Sequence, residues 1–102
     1  MTMIPSEFLR KDKIRAIVKI HNLKTDEIYL LKSEDAVKSF KDERFKLDLG
    51  MHKSASLQKA YTELGLELFT IEIDKEASAE DDLDALLSER AEYYKNNNFK
   101  FY

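Results

Sequence analysis

The apolar residues of this sequence follow two periods, one typical of strands and one typical of helices. Between positions 14 and 21 every second residue is apolar: Ile14, Ala16, Val18 and Ile20. This alternation predicts a strand, and the polar residues 22–27 favour a turn that leads into a second strand over 28–31. A third alternating segment contains Phe69, Ile71 and Ile73. We therefore expect a small sheet in which the first two strands form a hairpin.

Two helices are predicted between the second and third strands. Ser33 is expected to cap the first, which extends to about Phe45 with Val37 and Phe40 turned inward. Ser54 is expected to begin the second helix. Its predicted buried stripe follows the i, i+3, i+4 and i+7 spacing: Leu57, Ala60, Tyr61 and Leu64.

A last helix is predicted after the third strand. Ser78 is its expected N-cap, and Asp81 stands three residues later, where a capping box places Glu or Gln. The asparagines at 96–98 are expected to end it, and residues 99–102 are compatible with a short terminal strand. The predicted buried stripe consists of Leu83, Leu86, Leu87 and Tyr94.

These elements give the order β-β-α-α-β-α, which is an α+β fold with a small antiparallel three-stranded sheet covered by helices. A chain of 102 residues is long enough for one domain and too short for two. We assign residues 14–102 to this single domain. Residues 1–13 form an N-terminal segment that is compatible with a short helix from Pro5 to Lys11.

Composition narrows the classes of function. The chain has no cysteine, which excludes disulfides, thiolate metal sites and a cysteine nucleophile. Its apolar runs are too short to span a membrane and its N-terminal segment lacks a signal-peptide pattern, so a cytoplasmic protein is predicted. The net charge of −3 does not favour nucleic acid. The candidate contacts to nucleic acid are the basic residues of the first helix: Lys38, Lys41, Arg44 and Lys46.

The element order and its spacing resemble the GIY-YIG endonuclease domain over about residues 14–95. The most specific match runs from His52 through Leu57 and Gln58 to Tyr61, and continues to Gly65 and Phe69. It is similar to the family's pattern of histidine, leucine-glutamine, aromatic residue, glycine and phenylalanine. The resemblance implies the same α+β fold.

The signature triplets are matched less well. The first, Gly-Ile-Tyr, falls on residues 16–18 and ends at Val18, and the second, Tyr-Ile-Gly, falls on residues 29–31 and begins at Tyr29. The arginine that precedes an aromatic residue in the first helix is matched by Ser39, and the last helix reads Glu89-Arg90-Ala91 where relatives often have Glu-Arg-Glu.

These departures fall on the residues to which the family's chemistry is assigned. One tyrosine is the suggested general base, the arginine holds the scissile phosphate and the glutamate binds a divalent metal. Val18, Ser39 and Ala91 stand at three of these positions, while Tyr29 and His52 are retained. The resemblance implies that these five residues form a degenerate site on one concave surface, with no metal and no cofactor.

Several of these residues also have a structural interpretation. Tyr29 is compatible with a strand tyrosine that buries its ring, and His52 with a polar residue ahead of a helix cap. A slip of one residue in the last helix would put Glu92, instead of Ala91, at the position of the metal ligand. The acidic residues between Glu80 and Asp84 are expected to be a solvated first turn of that helix.

The sequence therefore predicts a catalytically degenerate nuclease-like domain that binds a protein partner as a regulator, inhibitor or adaptor. One alternative is a nucleic-acid-binding protein that does not cleave, using the basic residues of the first helix. The other is a divergent DNA endonuclease that depends on magnesium and uses Tyr29 and Glu92. The pattern gives no oligomeric state.

Overall fold

Three antiparallel strands form the centre of the molecule in the computed structural model, which describes residues 13–102. The strands are β1 (Ala16–Asn22), β2 (Ile28–Ser33) and β3 (Phe69–Glu76), in the order β2-β1-β3. Ile20 pairs with a residue of each neighbour, Tyr29 and Ile71. The predicted hairpin is confirmed, and the helix expected to begin at Pro5 lies outside the described residues.

Three helices cover the sheet, which confirms the expected α+β class. They are α1 (Ala36–Asp48), α2 (Ala55–Leu64) and α3 (Leu83–Asn96), with a short 3-10 turn at Leu66–Leu68. Gly65 ends α2 with φ 86°, a conformation that residues with a β-carbon rarely adopt. In residues 13–102 we find no helix that combines the length and apolarity needed to cross a bilayer.

Alternation along β1 divides the core between the two faces of the sheet. Ala16 and Val18 pack with Ala36 of α1, whereas Ile17 packs with Leu83 and Leu86 of α3. The remaining core cluster lies on the α1–α2 face and joins Ile20, Leu47, Leu57, Tyr61 and Phe69. The sheet therefore separates α3 from the other two helices.

The N-caps predicted for α1 and α3 were both wrong. Ser33 is the last residue of β2 and pairs with Ala16, while Asp35 caps α1 by accepting from the N–H of Lys38. Asp82, rather than Ser78, caps α3. In both cases an aspartate further along the chain reaches the first turn, because the preceding residues are held by strand pairing or by the loop.

Three smaller expectations also need correction. Val37 is 47% exposed rather than turned inward, because Ala36 occupies the contact with β1. β1 begins at Ala16 rather than Ile14, whose C=O instead accepts from the N–H of Ala36. The expected terminal strand is reduced to one parallel bridge between Phe101 and Ile28.

Candidate functional site

The two retained signature residues, Tyr29 and His52, contact each other. Tyr29 lies on the edge strand β2 and packs against the core cluster on the α1–α2 face. His52 lies in the loop that joins α1 to α2. Their ring centroids are 5.1 Å apart with an interplanar angle of 84°, which is an edge-to-face contact.

A buried glutamate holds His52 from the other side. The Nε2 atom of His52 lies 2.5 Å from Oε1 of Glu43, and both side chains are less than a tenth exposed. The Nδ1 atom of His52 accepts from the backbone N–H of Ser54 at 3.0 Å, so Nε2 carries the hydrogen that is donated to Glu43. Both imidazole nitrogens are therefore engaged, and neither is free to take a substrate proton or to ligate a metal.

The environment of Tyr29 favours its neutral form. Burial, together with the charge of Glu43, raises the pKa of the Tyr29 phenol above its ordinary value of 10.0. A general base must accept a proton, which a tyrosine does efficiently only as the phenolate. Tyr29 is therefore a weaker candidate for a general base than a free tyrosine, because a smaller fraction of it is present as the phenolate at a given pH.

The Leu-Gln pair of the most specific motif has a structural role. Leu57 is fully buried. Gln58 accepts from the N–H of His52 at 3.0 Å and donates to the C=O of Leu47 at 3.0 Å. It thereby fixes the loop that carries His52 to the end of α1, and Ser54 caps α2 as predicted.

The side chains of Val18 and Ser39 both make contacts within the domain. Val18 is 0% exposed and packs with Ala36, next to Phe40. The expectation that Val18 lines a concave surface is therefore wrong, because α1 covers its short side chain. The Oγ atom of Ser39 lies 2.6 Å from Oγ of Ser33, so this hydroxyl is satisfied by a neutral hydrogen bond.

Ala91 lies on the other side of the sheet. It is half-buried on α3, and it lines a shallow depression with Ser88, Glu92, Lys95 and Phe101. Glu92 is exposed. Its helix, α3, packs against Ile17, whereas Val18 packs against Ala36 of α1.

We compared the chain with protein families, curated proteins and solved structures. No family model matches the chain, and neither does any curated protein. The catalytic domain of the homing endonuclease I-TevI superposes with a TM-score of 0.65 at 25% identity, over 81% of this chain and 86% of that one. A second structure, a glutamate-to-alanine mutant of the catalytic domain of the intron endonuclease I-TevI, gives 0.64 at 26% identity, over 82% of both chains. The chain has a GIY-YIG-like domain.

The basic candidates of this GIY-YIG-like domain are largely neutralised within α1. Lys38 pairs with Asp42 at 2.8 Å, and Arg44 with Asp48 at 3.4 Å. Lys46 lies 3.4 Å from the buried Glu43. Lys41 is exposed. The four side chains therefore do not form a stripe of uncompensated positive charge.

The acidic residues at the beginning of α3 accept hydrogen bonds from nearby backbone N–H groups or pair with a lysine. The Asp82 carboxylate accepts from the N–H groups of Asp84 and Ala85, and Asp81 accepts from the N–H of Ser78 at 2.8 Å. Asp84 pairs with Lys32 at 2.5 Å. Within residues 13–102, no group of three or more histidine, aspartate or glutamate side chains is placed to hold a metal ion.

Sequence reasoning missed Glu43, which is the buried partner of His52. A signal was present, because Ala36, Phe40, Glu43 and Leu47 follow the spacing of one helical face. An acid within such an apolar stripe needs a buried partner, since an unpaired buried charge is costly. The identity of that partner could not be deduced, because the loop that brings His52 back to α1 has no regular period.

Proposed function

We propose that this GIY-YIG-like domain binds a protein partner and does not cleave nucleic acid. One observation carries the proposal: the three positions that match the family's catalytic tyrosine, arginine and glutamate hold Val18, Ser39 and Ala91. Val18 is fully buried, and the Ser39 hydroxyl is hydrogen-bonded within the domain. The chain thus uses two of these positions for packing and internal hydrogen bonding.

The chemistry of phosphodiester cleavage explains why these replacements matter. A water must lose a proton, the charge that develops on the phosphate must be neutralised, and the leaving oxygen needs stabilisation. Ser39 carries no positive charge, and the methyl group of Ala91 cannot ligate a metal. Loss of one electrostatic group commonly lowers the rate by about a hundred- to a thousandfold, so three losses together should abolish measurable activity.

The retained residues do not offer an evident substitute. His52 uses one nitrogen for Glu43 and the other for Ser54. The pKa of Tyr29 is raised by burial and by Glu43, which favours the neutral phenol. Glu92 is exposed on α3 and remains the candidate metal ligand of the alternative in which the domain is a divergent magnesium-dependent nuclease.

Charge and surface composition favour protein over nucleic acid as the partner. The net charge is −3, and three of the four basic candidates on α1 lie within 4 Å of a carboxylate. Beside them, Phe45 is 64% exposed, Leu49 is 54% exposed and Met51 is 69% exposed. Exposed apolar groups of this size are typical of protein contacts, whereas a phosphate backbone is bound mainly by free lysine and arginine side chains.

A nicking assay tests the absence of cleavage. Supercoiled plasmid is incubated with the full chain and magnesium or manganese, and the conversion to open circles is measured. We expect no conversion above a reaction without protein. A magnesium-dependent nick that disappears in Glu92→Ala would show that the site was rebuilt one residue further along α3, and would overturn the proposal.

A gel shift at several salt concentrations tests the nucleic-acid-binding alternative. Phosphate contacts release counterions, so genuine binding gives a steep dependence of affinity on salt. We expect no shift at about physiological salt. A salt-dependent shift that weakens in Lys41→Ala would favour a nucleic-acid-binding function. A protein captured from native lysate and bound again by the purified chain would support the proposal.

A further inference from the structure

The outward side of α1 carries an apolar strip that does not belong to the core. Glu43 and Leu47 are buried on the inner side of the helix. Phe45 lies about 160° around the helix from each of them and is 64% exposed. Leu49, which caps α1, and Met51 in the following loop continue the strip and are 54% and 69% exposed. Exposed apolar side chains that are grouped in this way mark a surface for contact with another protein.

Charged side chains border Phe45 on both sides. Lys41 and Asp48 lie about 40° and about 60° to one side of it, at about 100° per residue. Asp42 and Lys46 lie about 60° and about 100° to the other side. The side chains of Asp42, Lys46 and Asp48 are 49%, 47% and 45% exposed, and Lys41 is exposed. Each margin of the strip therefore carries one base and one acid.

Contacts within the domain hold the two acids in place and leave them able to accept further bonds. Lys38 binds Asp42 at 2.8 Å, and Arg44 binds Asp48 at 3.4 Å. The hydroxyl of Tyr61 also donates to Asp48. A carboxylate has about four lone-pair sites, so each acid can bind a second cation. The charges at the margins of the strip are therefore available to a partner.

The strip is complementary to itself when a second α1 runs antiparallel against it. Two-fold dimers are the commonest soluble homo-oligomers. A two-fold axis perpendicular to α1 reverses the direction of the helix and keeps each margin of the strip on its own side. With this axis just before Phe45, Lys41 stands level with Asp48 of the second copy. Asp42 then stands within one residue, or about 1.5 Å along the helix, of Lys46 of the second copy.

A parallel pair is disfavoured by charge. Lys38 lies about 20° from Phe45 around the helix, close to the centre of the strip. A parallel arrangement would therefore place the two Lys38 side chains of the dimer against each other, and like charges in contact oppose association. The helix dipoles would also point in the same direction, whereas they oppose each other in an antiparallel pair. The charges therefore favour the antiparallel arrangement.

We propose that this surface binds a second copy of the chain, with the two α1 helices antiparallel and the Phe45 side chains at the centre. The inference rests on the proposed function, because it names the protein partner of the same surface. Burial of Phe45, Leu49 and Met51 supplies the affinity, and the ion pairs at the margins set the register. With 13 residues α1 is only about 20 Å long, so the contact lies at the lower end of specific interface sizes and the dimer dissociates on dilution.

Analytical ultracentrifugation of the full chain tests this contact. At concentrations from micromolar to millimolar we expect the average mass to rise from that of one chain to that of two. Phe45→Asp should raise the dissociation constant by about thirtyfold or more, as loss of a central interface side chain does. Phe101→Asp, at an exposed phenylalanine beside α3, is the matched control and should leave the dissociation constant unchanged. Circular dichroism shows whether each variant is folded.

Charge reversal tests the antiparallel register. Lys41→Glu and Asp48→Lys each place like charges face to face, so each variant alone should dissociate about tenfold more readily. An equimolar mixture of the two should associate again, because each reversed charge then meets an opposite one. In a parallel pair Lys41 would instead meet Asp42, and the mixture would not recover. Asp42→Lys mixed with Lys46→Glu repeats the test without disturbing the hydrogen bond from Tyr61 to Asp48.

A chain that stays monomeric at every concentration would overturn the proposal, as would a dimer that Phe45→Asp leaves intact or a mixture of reversed charges that does not recover. A monomer that binds a protein from lysate through Phe45 would exclude the second copy as the partner but leave the proposed function standing. Plasmid nicking by the dimer would instead contradict the proposed function and leave the contact between the two copies in place.

Discussion

The two faces of the sheet place their buried polar residues differently. On the α1–α2 face the buried pair, Glu43 and His52, joins a helix to the following loop nine residues away. On the α3 face Asp74 of β3, whose side chain is only 3% exposed, accepts from Nε of Arg90 at 2.7 Å and from the Tyr94 hydroxyl. Lys19 of β1 reaches the same Tyr94 hydroxyl at 3.1 Å. This second network ties α3 to both β1 and β3.

The network on the α3 face includes Arg90, one of the residues that match the family's motif. Arg90 belongs to the segment that resembles the family's Glu-Arg-Glu, and its guanidinium is held by Asp74 and stacks 4.4 Å above the Tyr93 ring. The hydrogen bond to Asp74 raises the pKa of Arg90, so its charge is fixed. These contacts give Arg90 a structural role that requires no catalysis. A protein can share the fold of a nuclease without sharing its activity.

Removal of a core side chain on the α1–α2 face should have the largest effect. Leu57 is 0% exposed, so Leu57→Ala should lower the free energy of unfolding by about 2–5 kcal/mol through lost packing and a residual cavity. Urea denaturation followed by circular dichroism measures the change. Leu66→Ala, at a side chain that is 47% exposed, is the matched control and should cost far less. A loss below about 0.5 kcal/mol in Leu57→Ala would contradict the assigned packing.

The charged network on the α3 face should contribute less. Asp74→Asn keeps the shape of the side chain but leaves Arg90 without its carboxylate, which should cost about 1–3 kcal/mol. Asp84→Asn removes an exposed partner of Lys32 and should lower the stability less, because exposed ion pairs contribute little. Both variants are compared by urea denaturation at pH 7. Equal losses in the two variants would mean that burial of Asp74 does not matter.

Periodicity predicted the layout because each element has a clear apolar face. In β1 the apolar residues Ala16, Val18 and Ile20 recur at every second position, and in α2 the spacing of Leu57 and Tyr61 places both side chains in the core. The element order and the hairpin therefore followed from local patterns. The likeness to solved GIY-YIG structures agrees with the motif from His52 to Phe69, whose members are mostly structural.

Caps and tertiary partners could not be predicted in the same way. Ser33 and Asp35 are both good caps, and the choice between them depends on the pairing of Ser33 with Ala16 across the hairpin. The partners of Arg90 and His52 lie on other elements, at Asp74 and Glu43, and no local period encodes such contacts. Val18 was expected at a surface because of the resemblance, but α1 covers it.

High pH should weaken the α1–α2 face through Tyr29. Its pKa is raised by burial and by Glu43, so above pH 10 the unfolded chain loses this proton before the folded chain does. The stabilising contribution is therefore complete below pH 10 and is lost as the pH rises through the folded pKa. Tyr61 and Tyr102 act in the same direction.

The test compares urea midpoints at pH 8 and at about pH 10.5. In Tyr29→Phe the fall in stability between these two conditions should be smaller than in the unsubstituted chain, because one ionisable group has been removed. Tyr93→Phe, at an exposed tyrosine on α3, is the matched control for the loss of a phenol hydroxyl. An identical fall in all three proteins would show that Tyr29 ionises equally in the folded and unfolded chains.

The smallest expected effect is that of divalent metal ions on the α3 face. A ligand raises the melting temperature only if it binds the native state more tightly than the unfolded chain. Magnesium needs oxygen ligands that include at least one well-placed carboxylate, and Ala91 offers none, while Glu92 is exposed beside Lys95. Millimolar magnesium or manganese should therefore leave the Tm unchanged in both the unsubstituted chain and Glu92→Ala, as measured by calorimetry against a sample with chelator. A metal-dependent rise in Tm that is lost in Glu92→Ala would instead place a working carboxylate on α3, and the two faces would then differ in chemistry as well as in packing.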